Sequence, residues 1–322
     1  MFHVPVSSPT PGSRRDAIEW LVRQILELLR RGALSAIRER LASDFVHCTR
    51  GNWSTWPFPA GPIDRPHYVD ALQRLNAEIE ILRSVIHEIV IDGDSAAIHR
   101  TVTARRRGTG PTTAFDMWMV WRFRGDLAVE SATYVDLAGA ARPLGGQPIE
   151  VRPARPTMTR AGEASRRPTP LDGQGERQAI ERAIGRIFDW RDRCDEASIL
   201  TLLAPDFQFE TRGTWSIKPL GAARLSQLAF ADALKRLNIE VETIERAYDD
   251  VLIDGDAAAV RWTASVRNRG TGPTHTLGSW AYFRFREGQM IECAYYPDSG
   301  NRATELGPPF KYSRSLSVQE AG

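Results

Sequence analysis

Arg107-Gly108-Thr109-Gly110-Pro111 returns 162 residues later as Arg269-Gly270-Thr271-Gly272-Pro273. The same offset carries Asp44-Phe45 onto Asp206-Phe207, Ile91-Asp92-Gly93-Asp94 onto Ile253-Asp254-Gly255-Asp256, and Tyr134-x-Asp136 onto Tyr296-x-Asp298. Outward from these anchors, residues 16–136 read again as 178–298 without a gap, and roughly four aligned positions in ten are identical. Solenoid periods run about 20–50 residues, so a unit of this length is a whole domain. The expected organisation is a tail over 1–15, a first domain over 16–136, a linker over 137–176, a second domain over 177–298 and a tail over 299–322. The linker is rich in Pro, Gly, Ala and Arg without periodicity, which reads as extended chain.

Composition narrows the function classes. An apolar fraction of 42% and a charged fraction of 25% are those of an ordinary globular protein. A net charge of +2 leaves no electrostatic footprint for nucleic acid, and none is expected as a partner. Cys48, Cys194 and Cys293 stand opposite Glu210, Gly32 and Ser131 of the other copy. Neither a disulfide framework nor a zinc site is therefore part of the domain plan. Residues 1–12 lack the apolar core of a signal peptide, and no apolar run reaches membrane-spanning length, so a cytoplasmic protein without a membrane partner is expected. No phosphate-binding glycine loop, nucleotide fingerprint or nucleophile elbow occurs, and no cofactor is expected.

Periodicity places the elements. Ser13-x-x-Asp16 precedes a helical stripe of Ile18, Leu21, Val22, Ile25, Leu26 and Leu29. A short helix over about 33–42, a strand over 44–50, a loop over 51–64 and a helix over 66–76 follow. Four strands close the repeat, over 78–91, 95–107, 112–124 and 127–136, with Asp92-Gly93 at a two-residue hairpin. The fold class is α+β, with helices on one face of a curved antiparallel sheet. The strand 112–124 has two faces: Phe115, Met117, Met119, Trp121 and Phe123 form an apolar row against the mixed row of Asp116, Trp118, Val120 and Arg122. Trp118/Trp280 and Arg122/Arg284 recur on the mixed row. A sheet-to-sheet interface and a partly exposed aromatic under an arginine both fit that recurrence.

Certain stretches carry a family resemblance. They are Leu203-Ala204-Pro205-Asp206-Phe207 with Gly213-x-Trp215, Val260-Arg261-Trp262-Thr263 leading into Arg269–Pro273, and Phe283–Glu292 closing at Asp298. Both repeats resemble the nuclear transport factor 2-like fold, and more narrowly the SnoaL-like polyketide cyclase group. The resemblance implies two tandem cone-shaped α+β barrels, each a curved sheet wrapped around three helices. It also implies pairing of the repeats as an internal pseudo-dimer, a homodimer of chains being the other arrangement. It is weak for reaction, because the group includes isomerases, cyclases, dehydratases, epoxide hydrolases and proteins without chemistry.

If the apolar row is concave, the resemblance assigns the facing positions on neighbouring strands. In the first repeat these are Phe45, His47 and Thr49, then His99 and Thr101, then Tyr134 and Asp136. In the second they are Phe207, Phe209 and Thr211, then Arg261 and Thr263, then Tyr296 and Asp298. Asp136 and Asp298 match a last-strand aspartate that serves as acid or base in several members, including the limonene epoxide hydrolase type. Desolvation in an apolar cone raises such a carboxyl's pKa. The Arg-x-Asp pair of that hydrolase reads His99-x-Thr101 and Arg261-x-Thr263 here, so epoxide hydrolysis is not expected. The ketosteroid isomerase pattern departs further and is rejected: its base position reads Thr49 or Thr211, its donor tyrosine Ile25 or Ile187, and its neutral aspartate Met119 or Ala281.

In the first repeat His99 and Asp136 read as an acid–base pair, with His47 and Tyr134 polarising a carbonyl or hydroxyl. This resembles in kind the pocket of scytalone dehydratase. Each histidine also fits a singly bonded core residue, and no HxH or ExxH spacing supports a metal. Ligand contacts are expected from Trp53, Met117, Met119, Trp121, Trp215, Arg261, Ser279, Ala281, Tyr296 and Asp298. Trp53 and Trp215 read either as an aromatic lip or as a plug under a loop. Arg261 beside Asp298 reads as a binding pair or a structural ion pair. The expected function is binding of a small, largely apolar cyclic molecule, with cofactor-free isomerisation, cyclisation or dehydration on it. The alternative is a ligand carrier or assembly module without chemistry.

Overall fold

Ser13 caps helix α1 (Arg14–Arg31), its side chain accepting from the Asp16 backbone N–H at 3.2 Å. That satisfies one of the donors a first turn leaves open. The computed structural model describes residues 12–49, 58, 61–108, 110–135, 174–193, 195–211, 224–270 and 273–297. The stripe of α1 is buried in the first repeat's core. Gly32 ends the helix at φ 66°, and a Cβ there would stand 2.9 Å from Asn76 Nδ2. Gly32→Ala is therefore expected to lower stability by about 1–2 kcal/mol in denaturant unfolding, and an unchanged midpoint would contradict this account of the cap.

The first repeat continues through α2 (Leu34–Glu39), β1 (Leu41–Thr49), β2 (Gly61–Asp64), α3 (Arg65–Glu78), β3 (Ile79–Asp92), β4 (Ser95–Arg106), β5 (Thr113–Arg124) and β6 (Leu127–Val135). Its strands form one sheet in the order β2-β1-β6-β5-β4-β3. The second repeat runs α4 (Gln174–Arg193), α5 (Glu196–Leu202), β7 (Leu203–Thr211), β8 (Leu225–Ser226), α6 (Gln227–Glu240), β9 (Val241–Asp254), β10 (Ala257–Asn268), β11 (His275–Arg286) and β12 (Gln289–Pro297). Its sheet order, β8-β7-β12-β11-β10-β9, is the same. Two features refine the sequence reading. The expected loop over 51–64 contains β2, which pairs with β1. The sheet is antiparallel except where β1 meets β6, and β7 meets β12, in parallel.

Each cone has its own apolar core on the concave side of its sheet. The row Phe115, Met117, Met119, Trp121 and Phe123 packs with the helices in the first. Phe207, Phe209, Phe230, Trp262, Ala281 and Phe283 belong to that of the second.

A third apolar cluster lies between the two sheets' outer faces. Val90, Ala97, Trp118, Val120 and Ala132 meet Leu252, Ala259, Trp280, Tyr282, Ala294 and Tyr296 there. The rings of Trp118 and Trp280 stack at 5.0 Å with 3° between their planes. Both are buried, so the mixed row is a sheet-to-sheet contact. Polar contacts come in reciprocal pairs. Arg177 binds both carboxylate oxygens of Asp92 at 2.8 Å, and Arg15 Nη2 reaches Asp254 at 2.9 Å. Asp254 accepts from the Ile91 backbone N–H, and Asp92 accepts from that of Ile253. Residues 15 and 92 recur as 177 and 254, so residue i meets j while j meets i, the pattern of a two-fold surface. Among the described residues no helix is long and apolar enough to cross a membrane.

Candidate functional site

The register of β4 against β5 decides which side chains enter the first cone. Ile98 pairs with Met119, His99 with Trp118, Arg100 with Met117 and Thr101 with Asp116. Directly opposed residues share a face. Ile98 and Arg100 therefore join the concave row, while His99 and Thr101 lie outside, one residue out of step with the expectation. A one-residue slip sends every side chain of a strand to the opposite face.

The strand registers of the two sheets correct four expected site residues. His99 is 1% exposed and belongs to the contact between repeats. Its Nδ1 lies 2.5 Å from Glu88 Oε2 and 3.1 Å from the Tyr296 hydroxyl, and its ring stacks on Trp118. Tyr134 also pairs with Trp118 and so faces outward, its ring 4.4 Å from the Arg261 guanidinium. Arg261 pairs with Trp280, not with a cone residue, and makes an ion pair with Asp249 at 2.8 Å. Tyr296 reaches His99 from the second repeat instead of lining its own cone. The structure thus joins His99 to Tyr296 and Tyr134 to Arg261, each pair spanning the two repeats. Neither pair converges with His47.

His47, Met117, Met119 and Trp121 do face the first cone, and all are buried. His47 Nδ1 lies 2.7 Å from Ser131 Oγ, and its ring packs 4.6 Å from Tyr68 and 5.3 Å from Phe58. Burial pushes the imidazole pKa down to about 3, so His47 is neutral near pH 7 and is a poor proton acceptor there. The Tyr68 hydroxyl is pushed upward by the same desolvation and stays protonated. A neutral imidazole and a phenol in an apolar cone can offer hydrogen bonds to an acceptor oxygen.

The cone also holds Arg100, which the sequence reading missed. It is 5% exposed, and burial lowers its pKa to about 10, which leaves it cationic near neutral pH. Its Nε donates to Met117 Sδ at 3.2 Å and its Nη1 to Ser84 Oγ at 3.3 Å. The signal was present in β4 itself. Ala96, Ile98, Val102 and Ala104 alternate with Ala97, His99, Thr101 and Thr103, which marks the even positions as inward.

The second cone differs at the corresponding positions. Phe209 stands where His47 does, Trp262 where Arg100 does, and Arg246 where Ser84 does. Arg246 lies over the Phe188 and Trp262 rings at 4.9 and 5.9 Å, and it donates to the Phe188 carbonyl. Ser279 and Ala281 are inward as expected, Ser279 Oγ lying 2.8 Å from the Tyr295 hydroxyl. Trp53, Trp215, Asp136 and Asp298 lie outside the described residues. Among the described residues no group of three or more His, Cys, Asp or Glu is placed to hold a metal ion.

This arrangement, two cones built on one plan, defines a tandem cone-fold protein with a differently furnished interior in each copy. The family model of the SnoaL-like domain matches residues 22–131 and again 184–293, more than half of the chain, and the chain belongs to that family. No curated protein sequence matches it. Solved structures similar to it include an NTF2-like protein from Burkholderia xenovorans LB400, at 21% identity over 41% of this chain and 99% of that one, with a TM-score of 0.36. An LEH-like epoxide hydrolase from M. tuberculosis is similar at 15% identity over 38% and 86% of the two chains, with a TM-score of 0.31. A Catenulispora acidiphila protein with a ketosteroid isomerase-like fold, solved with trimethylamine, is similar at 17% identity over 39% and 93%, with a TM-score of 0.34.

Proposed function

We propose that the chain binds a small, largely apolar cyclic molecule in its first cone, and that the second repeat acts as a built-in dimer partner. One observation carries this reading. His47 and Tyr68, two groups that offer hydrogen bonds, are buried side by side in a mainly apolar cone that also holds Ser131 and Arg100. The second repeat has Phe209 and Phe230 at those positions, so the fold does not need the polar pair. Isomerisation, cyclisation or dehydration on the bound molecule would use these groups as electrophilic donors to a developing oxyanion. It would not use His99 as a base.

A thermal-shift panel of cyclic ketones, phenols and polyketide-like aromatics tests the reading. A ligand held at about a hundred times its Kd stabilises by about 2.7 kcal/mol. His47→Phe is expected to abolish the shift, while Asp298→Asn retains it. A shift equal in wild type and His47→Phe would place the ligand elsewhere, and no shift across the panel would count against the reading. The reciprocal contacts of Arg15 with Asp254 and Arg177 with Asp92 support the second reading, an assembly module without chemistry. That reading predicts no shift with any member of the panel.

A further inference from the structure

Arg100 is a cation buried in an apolar core. Among the described residues no carboxylate lies within ion-pair reach of it, and its two partners are a thioether sulfur and a hydroxyl at 3.3 Å. A buried guanidinium held by such weak acceptors loses most of its hydration without a matching Coulombic return. At this position the second repeat carries no charge; its own arginine, Arg246, comes from β9 and lies over the Trp262 ring. Trp262 occupies the same position there and is buried in the apolar core at 4% exposure. Arg100 is the more deeply buried of the two arginines, Arg246 being half-buried. A guanidinium has five N–H donors, of which these two contacts use two, and its planar fork fits a carboxylate. Ser84, which holds Nη1, stands where the second repeat has Arg246, so the two cones carry their arginines on different strands.

We infer that the first cone takes a small, largely apolar carboxylic acid, with its carboxylate on Arg100 and its ring among the apolar residues near His47 and Tyr68. This rests on the ligand-binding reading above and adds the ligand's charge and class. The anion would supply the counter-charge that the described residues lack, and the Tyr68 hydroxyl, close enough to Arg100 to interact with it electrostatically, would stand near the same group.

The test uses the full chain and a matched pair of probes, 2-naphthoate and its neutral isostere 2-naphthamide, with inorganic phosphate as a third arm. Binding is followed by calorimetry and thermal shift in wild type, Arg100→Lys and Arg100→Met. Wild type is expected to prefer naphthoate over the amide by at least about tenfold. Arg100→Lys should keep part of that preference. Arg100→Met should lose it while melting at or above the wild-type temperature, because it removes a buried charge. Equal binding of acid and amide in wild type would overturn the acidic class and leave the ligand-binding reading standing. A preference that survives in Arg100→Met would place the acid elsewhere. A response to phosphate as strong as that to naphthoate would reduce the site to general anion binding. An Arg100→Met protein that melts well below wild type would make the guanidinium structural. Binding of neither probe in wild type would overturn both readings together.

Discussion

Trp118→Ala is expected to lower the stability of the chain by about 3–5 kcal/mol, the range for truncating a large buried aromatic. The side chain is 2% exposed and stacks on Trp280, and it also touches His99 and Tyr296. Its environment comes from both repeats, so the loss would fall on the contact between them. Trp280→Ala should cost a similar amount, and the double variant less than the sum, because the two rings share one interaction. Denaturant unfolding of the four proteins supplies the cycle. If the repeats did not meet in solution, Trp118 would sit on an open sheet face and its removal would cost less than about 1 kcal/mol.

His47 should make the first repeat sensitive to mild acid. Its folded-state pKa is depressed from 6.5 to about 3, so the unfolded chain takes up its proton first as pH falls. The unfolded state therefore binds more protons between pH 6.5 and about 3, and stability rises with pH across that window. The contribution is fully present above pH 6.5 and is lost progressively below it. Between pH 7 and pH 4.5 a single group of this kind loses about 2–3 kcal/mol. The double variant His47→Phe/Ser131→Cys copies the second repeat, whose Phe209 and Cys293 are both buried. It should lack this component, while titration of the carboxylates cancels in the comparison. Parallel pH profiles for the two proteins would show that His47 is hydrated enough to protonate in place.

The architecture was readable because the duplication let each signal be checked against its copy. The cap at Ser13, the stripe of α1, the hairpin after Asp92 (its two-residue loop being Gly93-Asp94, one residue on from the expected pair) and the apolar row of β5 all depend on local chemistry, which sequence expresses directly. The site was legible only in part. His47, Met117, Met119, Trp121, Ser279 and Ala281 fell on the expected faces because β1, β5 and its copy β11 carry clear alternation. His99, Tyr134, Arg261 and Tyr296 did not, because the inward face was assigned by resemblance to relatives. Bulges in β3 at Ile81/Arg83 and Ile86/Glu88 shift the pairing, and no short-range motif announces them. The alternation within β4 would have corrected the assignment and brought Arg100 into view. The short strand β2 lacked any periodic signal, since Gly61-Pro62-Ile63-Asp64 is held by its partner strand and not by its own propensity.

Joining the two halves in one polypeptide has a consequence for how their shared surface can change. In an assembly of identical subunits every substitution at a two-fold contact is made twice, and a residue near the axis must tolerate its own copy. Here each gene position is spent once. Glu88 can serve His99 while the equivalent Asp250 receives Arg122, a pairing that identical partners could not divide in this way. The same freedom extends inward, where one barrel keeps Arg100 and the other settles on Trp262. Encounter between two repeats of one chain is intramolecular, so a contact of this kind does not depend on protein concentration.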